Sequence, residues 1–343
     1  MKYAVIDISS CSVSLLIASV EEDKKVLHHE RESVSILHYT ENGNLSERGL
    51  EKIVEQLTKL KEICKRDGVE KCYVVSTASL RNFENYEWVQ AELKRRAAVN
   101  VNLLEGEEEA YCDLLSNAKY KSDEKSFLVD IGGGSIELCD LFSDGEGSLT
   151  YLDFGPVQLN EKFVKNIQPT EAEAKNIKNY VKKKLQKSGL AKEKFEKAVL
   201  VGTNNQGICR IYRDYFDIPL AEGDDYVDCK KLKKICKILV TSSKRSMLVL
   251  KNAPEKTYTL ATSAVILRTI LKYFDVKKIL VTHVGVKDGY LIWVVDGKKQ
   301  AVETDLYAVP EAEKTALEKP KKQSKKKSAT SAQTSVNPQN GEK

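Results

Sequence analysis

The sequence predicts an α/β fold made of two similar halves, and three observations carry that prediction. Short β-branched apolar segments alternate with amphipathic helical segments, an order that favours parallel strand pairing. The pattern at the start of the chain begins again near residue 127. The 343 residues are 41% hydrophobic and 31% charged, which is globular composition at a length typical of two domains.

The first half opens with strands and continues with helices and strands in alternation. Apolar or alternating segments predict strands at 3–7, 13–20, 25–37, 72–75 and 99–104. Helices are predicted from Ser46, a suitable N-cap, to Gly68, a helix-stopping residue, and at 88–97 and 107–118. The first three strands are joined by short turns and should be antiparallel, whereas the later strand-helix-strand order requires parallel pairing.

The second half repeats this order after a polar break at 119–125. Strands are predicted at 127–131, 135–141, 149–154, 198–201, 278–282 and 290–295, with a turn at 143–147. Helices are predicted from Pro169-Thr170 onward and near 230–240 and 258–273. Beyond about residue 301 the chain is rich in Lys, Ser, Thr, Gln and Pro without periodicity, so we expect a disordered tail.

Charge and cysteine content exclude several classes of protein. The formal net charge is +5, but residues 308–343 hold eight Lys against four Glu and account for +4 of it. The nearly neutral body lacks the basic excess that is usual in nucleic-acid-binding proteins, so we do not expect nucleic-acid binding. The eight Cys form no C-x-x-C pair, which indicates reduced thiols in a cytoplasmic protein. Neither a signal peptide nor an apolar stretch of about 18 residues is present, so no membrane association is expected.

Two turns of small residues carry the predicted chemistry. Asp7-Ile8-Ser9-Ser10-Cys11-Ser12 and Asp130-Ile131-Gly132-Gly133-Gly134-Ser135 each place Asp-Ile, three small residues and Ser between two strands. Such turns can leave backbone N–H groups free for phosphate oxygens, and the preceding Asp can hold Mg²⁺ through water. The alternative interpretation is two hairpin turns selected for backbone geometry, although three consecutive glycines destabilise an ordinary hairpin. A third loop, Gly202-Thr203-Asn204, leads from a strand into a helix.

Six motifs occur in a recognisable order along the chain. They are Asp7-Ile8-Ser9-Ser10-Cys11-Ser12, Ser76-Thr77-Ala78-Ser79-Leu80-Arg81, Glu105-Gly106-Glu107-Glu108-Glu109-Ala110, Asp130-Ile131-Gly132-Gly133-Gly134-Ser135-Ile136-Glu137, Phe154-Gly155-Pro156-Val157-Gln158-Leu159 and Val201-Gly202-Thr203. Together they resemble the exopolyphosphatase and guanosine pentaphosphate phosphohydrolase (Ppx/GppA) family, within the actin, Hsp70 and sugar-kinase superfamily.

The resemblance implies two ribonuclease-H-like (actin-like ATPase) domains, 1–122 and 123–300, with a cleft between them, and composition adds the disordered tail at 301–343. It implies a Mg²⁺-dependent hydrolase that releases terminal phosphate from inorganic polyphosphate or from guanosine tetra- or pentaphosphate. Homodimers are common in the family. By position, the catalytic residues would be Glu109, as general base, and Glu137, and the metal-binding residues Asp7 and Asp130. The substrate-binding residues would be Ser10, Cys11, Ser12, Arg81, Gly132, Gly133, Gly134, Ser135, Gly202 and Thr203.

The chain departs from the family pattern mainly in the first half. Ser9-Ser10-Cys11 stands where Gly, Ser and Asn are usual, and Ser14 stands where Arg is usual. Further departures are Asn204-Asn205-Gln206 and Lys287-Asp288. Losing an arginine and a turn glycine should weaken phosphate binding, so a catalytically weak or inactive nucleotide or polyphosphate sensor is the alternative function. Superfamily analogy alone suggests a third, a sugar or acetate kinase.

Overall fold

A computed structural model describes residues 1–21, 24–121, 125–141, 149–190, 195–219 and 225–318 of the 343-residue chain. These residues form two large mixed sheets of five and six strands, and a small sheet of two strands. Helices cover the large sheets, whose apolar faces form the cores of the molecule. The predicted α/β class is confirmed.

The first large sheet is built from the first part of the chain. In chain order the elements are β1 (Lys2–Ile8), β2 (Ser12–Ser19), β3 (Lys25–Ser33), β4 (Thr40–Glu41), β5 (Asn44–Leu45), α1 (Glu47–Arg66), β6 (Lys71–Ser76), α2 (Ala78–Arg81), α3 (Tyr86–Ala97), β7 (Val101–Leu103) and α4 (Gly106–Ser116). The strand order is β3-β2-β1-β6-β7. Strands β1 to β3 are antiparallel, and β6 and β7 run parallel to β1.

The second large sheet repeats this arrangement. Its part of the chain contains β8 (Ser126–Ile131), β9 (Ile136–Asp140), β10 (Leu149–Leu152), α5 (Pro156–Phe163), α6 (Glu171–Lys187), β11 (Lys197–Val201), α7 (Thr203–Phe216), β12 (Asp225–Asp228), α8 (Cys229–Thr241), α9 (Arg245–Asn252), α10 (Leu260–Tyr273), β13 (Lys278–Val281), α11 (Val286–Val295) and α12 (Glu311–Glu318). The strand order is β10-β9-β8-β11-β13, and both this order and the strand directions match those of the first sheet. Strand β12 adds an antiparallel edge. Within the described ranges, no helix is long and apolar enough to cross a membrane.

Helix α4 lies between the two large sheets. Its Ala110 packs with Leu128 of the second sheet, whereas its Cys112 packs with Val5 and Val75 of the first sheet. Helix α11 runs alongside α4 and also contacts β1. Side chains on α4 are therefore held in a fixed position relative to both sheets.

The predicted strand at 290–295 is wrong, because these residues belong to α11. The segment is Tyr-Leu-Ile-Trp-Val-Val, and β-branched and aromatic residues favour a strand by local propensity. In the structure Tyr290 and Leu291 are buried against Val5 and Tyr73 of the first sheet. Burial of this face against the sheet overrides a weak local preference.

The tail predicted at 301–343 is wrong for its first part. The Thr304 N–H donates to the Cys72 carbonyl at 2.8 Å, and Leu306, 5% exposed, packs in the first-sheet core before α12 begins. This segment is held mainly by hydrogen bonds, which need no regular spacing of apolar residues. The sequence pattern therefore gives no sign that it is ordered. The remaining predicted tail, 319–343, lies outside the described residues. So do residues 122–124, at the predicted domain boundary, and the predicted turn at 143–147.

Candidate active site

A cleft of about 950 Å³ opens where the central parallel strands of the two sheets end. Five connections in the described part of the chain line it, and they follow β1, β6, β8, β11 and β13 at residues 9–11, 77–78, 132–135, 202–203 and 283–288. Parallel strands end at the same edge of a sheet, so turns that are distant in sequence meet in one place. In α/β proteins this edge is where ligands bind.

The first turn, formed by Ser9, Ser10, Cys11 and Ser12, closes the hairpin of β1 and β2. The Ser9 N–H donates to the Ser12 carbonyl at 2.9 Å, and the Ser12 N–H donates back at 3.3 Å. The N–H groups of Ser10 and Cys11 have no acceptor among the described residues, so an anion in the cleft can accept from them. Ser12 is buried with its hydroxyl 3.0 Å from that of Ser9, and the structure does not bring its side chain into the cleft.

Facing the first turn is the glycine loop, which consists of Gly132, Gly133, Gly134 and Ser135. A Cβ on Gly133 would lie 2.9 Å from the Cβ of Ser10, so the two turns meet too closely for a side chain. The Val157 N–H, at the start of α5, donates to the Gly133 carbonyl at 3.1 Å. The Asn204 amide donates to the Gly132 carbonyl at 3.0 Å. The loop is therefore held from two sides.

Gly202 and Thr203 connect β11 to α7 and also line the cleft. Gly202 has a φ of +84°, and a Cβ there would lie 2.0 Å from Oδ1 of Asp130. Only glycine leaves room for this carboxylate in that conformation. The Asn205 amide donates to the Val129 carbonyl at 3.0 Å, so Asn204 and Asn205, which depart from the family pattern, secure the end of β8.

Four buried acidic side chains meet beside the glycine loop and form the carboxylate cluster: Glu109, Asp113, Asp130 and Glu137. Glu109 and Asp113 lie one turn apart on α4 and share a face. Asp130 on β8 is paired directly with Glu137 on β9. Asp113, Asp130 and Glu137 each offer one oxygen within 4.8 Å of the other two. The packing of α4 against β8 and β9 thus assembles the carboxylate cluster from three elements.

Most carboxylate oxygens of the cluster receive no hydrogen bond from the described residues. Both oxygens of Asp113, both of Glu137, Oδ1 of Asp130 and Oε2 of Glu109 are buried without a donor among the described residues. Carboxylates in such a setting are stable only when they are protonated or when a cation neutralises them.

Burial raises the pKa of every member of the carboxylate cluster, and like charges nearby add to the rise. The pKa of Glu109 is raised to about 8, first by burial and then by the charges of Asp130 and Asp7. The pKa of Asp130 is raised to about 6, chiefly by burial. Burial, followed by like charges within the cluster, raises the pKa of Asp113 and of Glu137 well above the usual range. Ionisation near neutral pH therefore requires compensating positive charge.

The donor set of the carboxylate cluster fits a hard divalent cation such as Mg²⁺, which prefers oxygen ligands. Asp113, Asp130 and Glu137 could each supply one oxygen. From the sequence motifs, the predicted metal ligands were Asp130 and Asp7. Asp7 is not part of this close group in the described portion of the chain, but it lines the same cleft, and its Oδ1 also lacks a donor.

Three basic side chains line the cleft and form the basic wall: Arg31, Lys256 and Lys287. The Lys287 ammonium donates to the Ser14 hydroxyl at 2.9 Å, so a cation from α11 stands beside the residue where the family usually has Arg. Burial raises the pKa of Asp7, and the charges of Lys287 and Arg31 oppose that rise. Positive charge is therefore present next to the first turn despite Ser14.

Arg81 lies beside Glu109, and its guanidinium is held by protein groups. It donates to the Leu104 carbonyl and, at 2.7 Å, to the Tyr151 hydroxyl. Its charge opposes the rise in the pKa of Glu109. The predicted contact between Arg81 and phosphate stays a prediction.

Asp113, Arg31 and Lys256 lie outside the sequence motifs that predicted the site. Asp113 does carry a signal, since it follows Glu109 by four residues in a predicted helix and must share its face. Arg31 can be recognised as a residue of the cleft only from the strand register, which places it opposite Ser14. Lys256 carries no signal, because it lies in the short 3-10 turn Pro254–Lys256, far along the chain from the residues that it faces.

Comparison with known families gives one extended match. The family model described as "Ppx/GppA phosphatase family" matches residues 16–296. Similar curated proteins are the bifunctional 3-dehydroquinate synthase/phosphatase of Fusobacterium nucleatum (26% identical; 48% of this chain, 26% of that protein) and exopolyphosphatase 1 of Mycobacterium tuberculosis (24%; 40% and 42%). Another is the guanosine-5'-triphosphate,3'-diphosphate pyrophosphatase of Aliivibrio fischeri (30%; 48% and 34%). The chain spans less than half the length of each of these relatives.

Solved structures share the fold over most of both chains. The crystal structure of an exopolyphosphatase from Cytophaga hutchinsonii has a TM-score of 0.79 at 19% identity and covers 87% of this chain and 99% of that chain. A Ppx/GppA family member from Aquifex aeolicus has a TM-score of 0.70 at 23% identity and covers 88% of this chain and 99% of that chain. The predicted fold of two ribonuclease-H-like, actin-like domains is confirmed.

Proposed function

The chain belongs to the Ppx/GppA phosphatase family, and we propose that it is a phosphoanhydride hydrolase acting on inorganic polyphosphate or guanosine tetra- or pentaphosphate. An exopolyphosphatase and a guanosine-5'-triphosphate,3'-diphosphate pyrophosphatase are among its relatives. The observation that carries the proposal is one cleft lined by Glu109 and Asp130 of the carboxylate cluster and also by the three cations of the basic wall. Carboxylates suit water activation and cation binding, while cations and free N–H groups suit a phosphate chain.

The substrate would lie in the cleft, alongside the contact between the first turn and the glycine loop. Free N–H groups on Ser10 and Cys11 would donate to phosphate oxygens from the first turn, and those of the glycine loop would donate beside them. The basic wall would neutralise the remaining phosphate charge. These donors are fixed by the hydrogen bonds that close each turn, so they need little rearrangement when substrate binds.

Glu109 is the proposed general base. It lies in the cleft lining and is only 6% exposed. Its pKa is raised to about 8, so once a neighbouring cation has favoured its ionised form, that form is a stronger base than an ordinary carboxylate. Water attacks the terminal phosphorus, and Glu109 takes the proton that water loses. The new oxygen–phosphorus bond forms as the bond to the bridging oxygen breaks, and that oxygen leaves with the electron pair. Terminal phosphate and a chain shorter by one phosphate result.

Asp113, Asp130 and Glu137 would hold Mg²⁺, which when bound supplies positive charge to phosphoryl oxygens and lowers the pKa of neighbouring carboxyl groups. Glu137, predicted as catalytic, is fully buried opposite Asp130, so its proposed part is to hold the cation and orient Asp130. Asp7 would accept hydrogen bonds from water at the first turn, since its Oδ1 has no donor among the described residues.

The proposal is tested by measuring phosphate release from the purified chain. Polyphosphate and guanosine pentaphosphate are each supplied with Mg²⁺ and with EDTA, and release is expected from at least one substrate with Mg²⁺ only. Comparing the two substrates identifies the preferred one. Tight binding of either substrate without release would instead support the alternative, a sensor of the same fold. If the chain neither binds these substrates nor releases phosphate from them, both the hydrolase and the sensor are contradicted.

A further inference from the structure

Three side chains stand in one row across the first sheet. The antiparallel register pairs Asp7 of β1 with Ser14 of β2, and Ser14 with Arg31 of β3. Side chains at paired positions project from the same face of a sheet, so this row shares the face over which the α11 residue Lys287 donates to Ser14. Adjacent strands lie about 4.8 Å apart, which places the backbone of Arg31 roughly 10 Å from that of Asp7.

Arg31 differs from the other charged residues of β3. Its neighbours Glu30 and Glu32 project from the opposite face and pair with Lys59 of α1, at 3.5 Å for Glu30. Arg31 projects toward the cleft and has no ion pair or hydrogen bond with its guanidinium among the described residues. Within the described part of the chain, the edge strand thus pairs the acidic charges of one face with Lys59 and leaves Arg31 on the other face without an ion pair.

Arg31 also stands between the two halves of the molecule. The cleft walls exclude enough water to lower the pKa of its guanidinium, and the charges of Asp7 and Asp130 are both near enough to oppose that effect. Glu255 is near as well, but its carboxylate lies 2.6 Å from the guanidinium of Arg210. Arg31 therefore keeps its donors while it faces both aspartates of the repeated motif.

We propose that Arg31 binds a phosphoryl group of the substrate at the first turn, through two N–H groups that donate to two non-bridging oxygens. The inference rests on the proposed function and adds a residue to it. The planar guanidinium matches the spacing of two phosphate oxygens, which a lysine ammonium does not. Arg31 acts on binding and not on water attack, because the carboxylate cluster belongs to α4 and the second sheet. It supplies from the neighbouring strand the positive charge that Ser14 lacks.

A purely structural role, in which Arg31 only offsets the charge of Asp7, predicts a different result. Removing the guanidinium would then leave Asp7 less well compensated and lower the thermal midpoint of unfolding. The affinity for anions would be unchanged. Binding and unfolding measured on the same variants separate the two roles.

The test is calorimetric titration of inorganic triphosphate into the full chain in EDTA, where no turnover is expected. We expect the Kd of Arg31→Gln to be about 10- to 100-fold higher than that of the wild type, as for loss of a hydrogen-bonded charged contact. Arg31→Lys should recover part of the affinity, since it restores charge without the planar fork. The control is Arg48→Gln on α1, which removes an exposed arginine paired with Glu51 at 3.0 Å and should leave the Kd unchanged.

Phosphate release by the same variants separates this inference from the proposed function. The inference predicts a raised KM in Arg31→Gln with a smaller change in kcat. Unchanged triphosphate affinity in Arg31→Gln overturns the inference even when the wild type is an active hydrolase. A wild type that binds triphosphate but releases no phosphate from either substrate refutes the hydrolase. Lost affinity in Arg31→Gln would then still support the inference.

Discussion

The first turn and the glycine loop have equivalent places in the two sheets but different surroundings. Each joins an antiparallel hairpin and follows an aspartate, Asp7 in one and Asp130 in the other. The glycine loop is held by groups outside it, Val157 and Asn204, and adjoins the carboxylate cluster. The first turn is closed by its own residues and adjoins the basic wall.

This difference shows how a duplicated backbone can serve one asymmetric reaction. Both turns keep the free N–H groups that suit phosphate oxygens, so the repeat preserves the shape of the cleft. The neighbouring side chains divide the charge between the two turns, with the basic wall beside the first turn and the carboxylate cluster beside the glycine loop. Acidic surroundings at both turns would repel a phosphate chain, and basic surroundings at both would offer no group to accept a proton from water.

The largest expected effect is on the acidic side. Glu109→Gln keeps the size of the side chain but cannot accept a proton, so turnover should fall by about 10²- to 10⁴-fold while triphosphate affinity changes only a few-fold. Phosphate release and calorimetry measure the two quantities. The control is Glu107→Gln, at an exposed position of the same helix start. Equal losses in both variants would mean that charge at the start of α4, and not a base, is responsible.

The next effect is expected where the first turn and the glycine loop touch. Gly133→Val adds a branched side chain where even a Cβ would lie 2.9 Å from Ser10, so the two turns must separate. We expect phosphate release to fall by about 10²-fold, as for a misplacement of roughly 1 Å in an active site. Thermal unfolding on the same sample checks that the fold survives. Full activity with a normal thermal midpoint would show that the spacing of the turns is unimportant.

A smaller effect is expected at Asp113, which the carboxylate cluster adds to the predicted metal ligands. Asp113→Asn replaces a carboxylate by a neutral amide and so removes one negative charge from the cation site. The Mg²⁺ concentration for half-maximal activity should therefore rise about 10-fold or more. Mn²⁺ binding followed by electron paramagnetic resonance gives a reading that does not depend on turnover. Asp153→Asn, at an exposed position, serves as the control. Unchanged Mn²⁺ affinity in Asp113→Asn would remove Asp113 from the cation site.

The smallest effect concerns the pH dependence of stability. The pKa of Glu109 is raised to about 8 in the folded chain from an ordinary value of 4.5, so the folded state binds this proton more tightly than the unfolded state. The resulting stabilisation is complete below about pH 4.5 and is lost as the pH rises through about 8. The quantity to measure, in EDTA, is the thermal midpoint of Glu109→Gln minus that of the wild type. This difference should rise by at least about 2 °C from pH 5 to pH 8.5. A constant difference over this range would contradict the raised pKa.

The parts of the site that lie in continuous motifs were predictable from the sequence. Asp7, Glu109, Asp130 and the glycine loop are read from neighbouring residues whose types restrict the backbone, and the structure places all of them at the cleft. The repeat of two strand-turn-strand units likewise predicted that the second half begins like the first, and the two large sheets share this arrangement. Local sequence suffices where chemistry and backbone geometry depend on the same few residues.

The remaining parts depend on register and on packing between distant elements. Arg31 joins the cleft through pairing between strands, and Lys256 through a turn that is remote in sequence. The segment 290–295 has strand-like composition but becomes helical because it packs between α4 and the first sheet. No window of neighbouring residues contains that information, so the sequence pattern alone favoured the wrong element.

The return of the chain to the first sheet sets the order in which a newly made copy can fold. Tyr290 and Leu291 of α11 cover Val5 and Tyr73, and the Asn102 side chain bonds to the Val302 carbonyl 200 residues later. During synthesis this face of the first sheet stays uncovered until nearly 300 residues have left the ribosome. Contacts over such separations form slowly, and apolar surface that waits for them is prone to aggregation. The first sheet, although made before the second, is therefore completed later and exposes its apolar face for longer.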